Sequence, residues 1–123
     1  MDCPRCRKAL EEVTFEEMAL DRCRECGGIW FGFAKLERLL SRESRLLRKL
    51  LPDRKGPEPE EVDHLPCPRC GETLVKTQSE TARTIYYACL TCYGRWLDGH
   101  VLHRIVGRTL AIKFETLFKQ ILD

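Results

Sequence analysis

Eight cysteines stand in four Cys-x-x-Cys pairs: Cys3 and Cys6, Cys23 and Cys26, Cys67 and Cys70, Cys89 and Cys92, and none is left over. Two thiolates at that spacing lie on one tight turn and grip a metal ion from one side; a second such turn closes a tetrahedron. Two pairs separated by roughly 15–20 residues form a strong zinc pattern. Here 16 residues separate the first two pairs and 18 the last two. The expectation is two Zn²⁺ per chain, one on Cys3, Cys6, Cys23 and Cys26, the other on Cys67, Cys70, Cys89 and Cys92. Four thiolates leave no coordination position open, so both sites read as structural rather than catalytic.

Other chemistries fit less well. Redox-active Cys-x-x-Cys motifs normally open a helix in a βαβ setting, and no such pattern is visible. Iron in a four-thiolate site is chemically admissible and would show as colour on purification. The histidines, His64, His100 and His103, are surplus to sites that already hold four cysteines. His100 and His103 lie at i, i+3 near Cys92 and are candidates for a ligand exchange; exposed or capping helix positions are the plainer expectation. There is no serine–histidine–acid spacing, no phosphate loop and no ligand set with an open metal position. A non-enzyme with no small-molecule substrate is expected.

The elements that must position the cysteines repeat. Cys3-Pro4-Arg5-Cys6 recurs as Cys67-Pro68-Arg69-Cys70, and Cys23 to Trp30 answers to Cys89 to Trp96. Leu36 and Arg38 match Leu102 and Arg104. The two-residue difference between the spacers fits a hairpin loop of different length. A repeat this plain implies two copies of one small unit. Each copy opens on a cysteine knuckle and continues with strand character, clearest at Thr84-Ile85-Tyr86-Tyr87-Ala88. A second knuckle and a glycine-containing turn follow, and then a tryptophan leads into a helix. Trp30 and Trp96 are expected to pack each ribbon against its own helix, with base stacking as the alternative.

The first helix is expected over 34–51, with Leu36, Leu39, Leu40, Leu47, Leu50 and Leu51 on one face and Pro52 as its stop. The second should start after Asp98, a good N-cap residue, and be weakened or bent at Gly107. A C-terminal amphipathic helix should begin at about Thr109, with Leu110, Phe114, Leu117, Phe118 and Ile121 on one side. The fold class expected is small α+β and zinc-stabilised: two tandem zinc ribbons built on short β-hairpins, each followed by an α-helix, plus the C-terminal helix. The domains are residues 1–51, a proline-rich acidic linker over 52–66, and residues 67–123. Each ribbon is about 30 residues long, below the roughly 40 at which a chain usually needs metal or disulfides to fold.

Bulk properties add limits. Charged residues are 33% of the chain, which favours solubility, while a net charge of +2 says little about partners. The first cysteine is residue 3, which leaves no room ahead of it for a secretory signal, and no apolar run approaches the roughly 18 residues of a membrane span. A cytoplasmic protein with no membrane partner is expected, and in a reducing compartment paired cysteines favour metal over disulfides.

The pattern Cys-Pro-x-Cys, a spacer, then Cys-x-x-Cys-Gly-Gly-Ile-Trp ahead of a helix resembles the transcription-factor-IIB-type zinc-finger domain of small bacterial proteins. The first copy carries Cys23, Cys26, Gly27, Gly28, Ile29 and Trp30 in that form. The second carries Trp96-Leu97-Asp98, similar to the family's Trp-Leu-Asp at the helix start. The resemblance implies a zinc-ribbon fold and a ligand role for all eight cysteines. It departs where the family often has Gly-Glu-Leu, since the copies read Ala34-Lys35-Leu36 and His100-Val101-Leu102. Gly32 stands opposite Asp98, and Gly27 opposite Tyr93. Likeness of the ribbon alone does not establish a promoter-binding role.

Two binding roles are left. Leucine- and phenylalanine-rich helices offer a surface for a protein partner or for self-association. Charge offers the other. Residues 34–55 hold Lys35, Arg38, Arg42, Arg45, Arg48, Lys49, Arg54 and Lys55 against Glu37, Glu43 and Asp53, a net of +5. Lys35, Arg38, Arg42, Arg45 and Lys49 form a basic stripe that could neutralise phosphates of DNA or RNA. A solvated helix face is the common outcome of such a run.

Overall fold

The computed structural model describes residues 1–15, 17–40, 58–79 and 84–109. The first copy contributes strands β1 (Glu11–Phe15), β2 (Met18–Arg22) and β3 (Ile29–Phe31), then helix α1 (Lys35–Leu40). The second contributes β4 (His64–Pro66), β5 (Thr73–Ser79), β6 (Thr84–Ala88) and β7 (Arg95–Leu97), then helix α2 (Gly99–Thr109). All seven strands form one antiparallel sheet in the order β1-β2-β3-β7-β6-β5-β4.

The two copies are therefore not separate beads. They meet at a seam where β3 pairs with β7, with Ile29 opposite Leu97, Trp30 opposite Trp96 and Phe31 opposite Arg95. The tryptophans that occupy the same place in the repeat face each other, so the seam lies on a local twofold axis. The symmetry extends outward. Asp2 bridges Ala9 in copy one as Pro66 pairs with Thr73 in copy two. The β1–β2 hairpin closes between Phe15 and Met18, and the β5–β6 hairpin between Ser79 and Thr84. Those loops, of two and four residues, account for the two-residue difference between the cysteine spacers.

Residues alternate across the sheet as a pleated strand requires. Ile29, Phe31 and Leu97 point to one face, where they pack with Leu36 and Leu39 of α1, Val101 and Leu102 of α2, and Phe15, Met18, Leu20 and Tyr86. Trp30 and Trp96 point to the other, among the cysteines, Leu65, Leu74 and Tyr87. Both faces of the central strands are covered, which is why all three residues of β3 are buried.

One detail differs from the expected layout. His64–Pro66, placed in the linker by their proline and acidic surroundings, form edge strand β4 against β5; proline is tolerated there because an edge strand needs no donor on its outer side. Helix α2, which starts directly after Asp98 as expected, includes Gly107 and runs to Thr109. The expected helical stretches 41–51 and 110–123 lie outside the described residues. No helix among the described residues is long and apolar enough to cross a membrane.

Candidate metal centres and the seam between the ribbons

The four knuckles share one backbone geometry. The amide of Cys3 donates to the carbonyl of Lys8 at 2.7 Å, and that of Cys67 to Glu72 at 2.7 Å; Cys23 donates to Gly28 and Cys89 to Gly94, each at 2.9 Å. Such a turn ends on a left-handed residue: Arg7 at φ 63°, Gly27 at 75°, Gly71 at 81° and Tyr93 at 62°. Amides inside the turns point at sulfur, with Cys6 N 3.2 Å from Cys3 Sγ, Cys70 N 3.4 Å from Cys67 Sγ and Cys92 N 3.4 Å from Cys89 Sγ. These donors favour thiolate.

The fold gathers the eight cysteines into the two expected groups, Cys3, Cys6, Cys23, Cys26 and Cys67, Cys70, Cys89, Cys92, with the sulfurs of each group all within 4.8 Å of one another. A tetrahedron with zinc–sulfur bonds of about 2.3 Å has edges of about 3.8 Å. The observed Sγ–Sγ distances of 3.8 Å (Cys3–Cys26), 3.7 Å (Cys67–Cys92) and 3.5 Å (Cys70–Cys89) match that edge. No histidine joins either group.

Among themselves the thiols share charge unevenly. The hydrogen bond from Cys26 brings Cys3 down to about 5, against its burial. Burial, and then charge on Cys3, pushes Cys6 up to about 11. The same Cys3 contact raises Cys26. In the second group burial lifts Cys67 to about 12 and also raises Cys92. At Cys89 burial is outweighed by the amides of Cys92 and Thr91, which bring it to about 7. Four sulfurs this close cannot all ionise unaided. A divalent cation between them removes the conflict and deprotonates the thiols. The donor set and its spacing thus fit zinc. The second group is the more open, since Cys70 is exposed while no cysteine of the first group is.

The tryptophans correct one expectation. Each lies across the seam rather than against its own helix. A methyl at Gly28 would overlap the ring of Trp96, and one at Gly94 the ring of Trp30. Each copy's glycine is the floor for the other copy's indole. Trp30 and Trp96 are 1% and 0% exposed, which leaves no ring face for stacking a base.

Around this symmetric centre the two sides differ. On one side Arg5 crosses from the first knuckle to the second copy. Its Nε lies 3.1 Å from Oδ1 of Asp98 and its Nη2 3.0 Å from Oδ2. It donates to the carbonyl of Glu60 and sits 5.3 Å from the Tyr87 ring centroid. Burial works against the Arg5 charge, and Asp98 more than restores it, so the guanidinium stays above its usual value. Asp98 also accepts from Trp96 Nε1 at 2.9 Å, and the Tyr87 hydroxyl donates to the Val62 carbonyl at 3.0 Å. Asp98 does precede α2, but its carboxylate serves Arg5 and Trp96; its backbone carbonyl accepts from Leu102. Gly99 packs against the Cys26–Gly27 backbone, where a Cβ would come within 2.6 Å of the Cys26 carbonyl oxygen.

On the other side the repeat supplies Arg69, Gly32 and Asp21 in place of Arg5, Asp98 and Tyr87, and no such clamp exists among the described residues. Burial, and then Glu12, raises Asp21, against the pull of Lys35. In place of Gly99 and Gly27 stand Phe33 and Tyr93. Their rings touch edge to face at 6.1 Å and 62°, yet they are 69% and 63% exposed. Beside them Arg95 pairs with Glu37 across the seam. Sequence reasoning missed the Arg5 clamp and this aromatic pair; the one available signal was that residues at matching places in the repeat differ.

Of the basic stripe, Lys35 donates to the Ala19 carbonyl and Arg38 is exposed. Arg42, Arg45 and Lys49 lie outside the described residues. No curated protein and no solved structure gives a match to the chain. A family model described as transcription factor zinc-finger matches residues 2–42, which contain the whole first site. The second site, over 67–92, is shown by the geometry of its four cysteines. With that match beside two four-cysteine groups, the chain is a small zinc-binding protein that holds two zinc ions, and residues 2–42 are similar to the transcription factor zinc-finger.

Proposed function

We propose that this is a non-catalytic zinc-ribbon protein that binds nucleic acid through the basic stretch 34–55. The observation that carries the reading is the orientation of α1. Leu36 and Leu39 are 1% and 3% exposed, spent on the protein's own sheet, while Arg38 faces outward. Arg38 opens the series Arg38, Arg42, Arg45, Lys49 at helical spacing. The same burial weakens the case for self-association through the leucine face, since that part of the face is already covered. A four-thiolate donor set supports a structural role for the zinc, because it offers no position at which water or substrate is activated.

The test is a binding titration of the zinc-loaded protein against mixed DNA and RNA at about 50 and 200 mM salt, a range over which a moderate set of phosphate contacts loses orders of magnitude. Binding should fall steeply with salt and be lost in the triple variant Arg38→Glu, Arg42→Glu, Arg45→Glu. Absence of binding at the lower salt would turn the stripe into a solvated face and leave docking to a protein partner as the function.

A further inference from the structure

We propose that Phe33 and Tyr93 form a stacking platform for unpaired bases of a single-stranded nucleic acid, an inference that rests on the basic-stretch reading above. The fold itself does not need these rings. At the equivalent places in the other half of the molecule stand Gly99 and Gly27, and the knuckle there closes with no side chain at all. Tyr93 holds the left-handed conformation, φ 62°, that Gly27 adopts at 75°. A large apolar ring is thus kept at a backbone position that favours glycine, and is then left 63% exposed. Strain and exposure at one residue point to use rather than packing. Leu90, in the same turn, is 71% exposed and widens the apolar surface.

The setting favours bases over an apolar protein segment. Phe33 lies two residues before α1, so the rings stand at the start of the +5 stretch, with exposed Arg38 five residues on. Exposed aromatic rings continuous in sequence with a basic stretch suit a single strand: cations follow its phosphates while its bases, unlike those of a duplex, have free faces to stack. The edge-to-face contact leaves ring surface open to solvent.

The experiment measures binding of the full zinc-loaded chain to a labelled single strand and to the matching duplex at about 50 mM salt. Two variants are compared, Phe33→Ala and Tyr93→Gly. The second restores the residue that the first copy uses, so it relieves strain and keeps the fold. Each variant should weaken single-strand binding by about tenfold and leave duplex binding unchanged. Single-strand binding unaltered in both variants, with duplex and single strand held alike, overturns the platform while the basic-stretch reading stands. Equal losses for single strand and duplex also overturn it. Failure of the unmodified protein to bind either form removes both readings and points the aromatic pair toward a protein.

Discussion

Arg5 and Arg69 sit in identical Cys-Pro-Arg-Cys knuckles and meet different surroundings. Arg5 finds Asp98, the Glu60 carbonyl and the Tyr87 ring, with side-chain exposures of 13% for Arg5 and 7% for Asp98. Removing one member of such a pair leaves the other charge poorly solvated, at a cost of about 3 kcal/mol. Arg5→Ala should therefore lower the stability of the zinc-loaded protein by about that amount in a urea melt, while Arg69→Ala should change it by less than about 0.5 kcal/mol. Similar losses from both would mean that the asymmetry has no energetic weight. Nothing local to the tetrapeptide could have told the two arginines apart, because what separates them is Asp98 against Gly32 and Tyr87 against Asp21. A second contrast lies in the cysteines. Exposed Cys70 should make the second site the first to react with an alkylating reagent, with modification mapping to Cys70 before any cysteine of the first site.

At the scale of elements, the seam depends on glycine meeting tryptophan. Gly28→Ala and Gly94→Ala each drive a methyl into a buried indole, and overpacking of that kind costs about 1–3 kcal/mol. Gly71→Ala meets no atom within 4 Å and should cost only the left-handed strain at φ 81°, about 1 kcal/mol. Thermal unfolding of the three zinc-loaded variants checks the order, and a Gly71 variant worse than both others would refute the seam as described. Much else at this scale was legible in sequence. Cysteine spacing located the knuckles, the repeat located the copies, and the spacer difference gave the hairpin loops. The β3–β7 pairing was not legible. Ile29-Trp30-Phe31 and Arg95-Trp96-Leu97 are three-residue strands 66 positions apart, too short for any period to register. What the glycines do depends on a ring from the other copy. Strand β4 was hidden by Pro66 and its acidic neighbours, which read as linker until the Leu65–Leu74 pairing is seen.

At the scale of the molecule, one sheet joins two metal sites, so neither ribbon should survive loss of the other's zinc unchanged. A structural zinc contributes on the order of 10 kcal/mol, comparable to the whole stability of a small domain. Full chelation should abolish the β-sheet circular dichroism signal of both halves, and an unchanged spectrum would refute this. The dependence on acidity has a definite sign. Cys6 and Cys67, pushed up to about 11 and about 12, keep their protons at neutral pH and must release them to bind metal. Zinc affinity should therefore rise with pH and fall in acid, with protons released on loading; competition against a colorimetric chelator at two pH values reads the slope. The strand order, a palindrome about the β3–β7 pair, has one more consequence. The two seam strands belong to opposite halves, so a second molecule can supply either one with every contact retained. Exchange of halves between chains then competes with closure within one chain, and the connecting residues set the balance. Deleting most of residues 41–57 should shift the protein toward an exchanged dimer that still carries two zinc ions per chain.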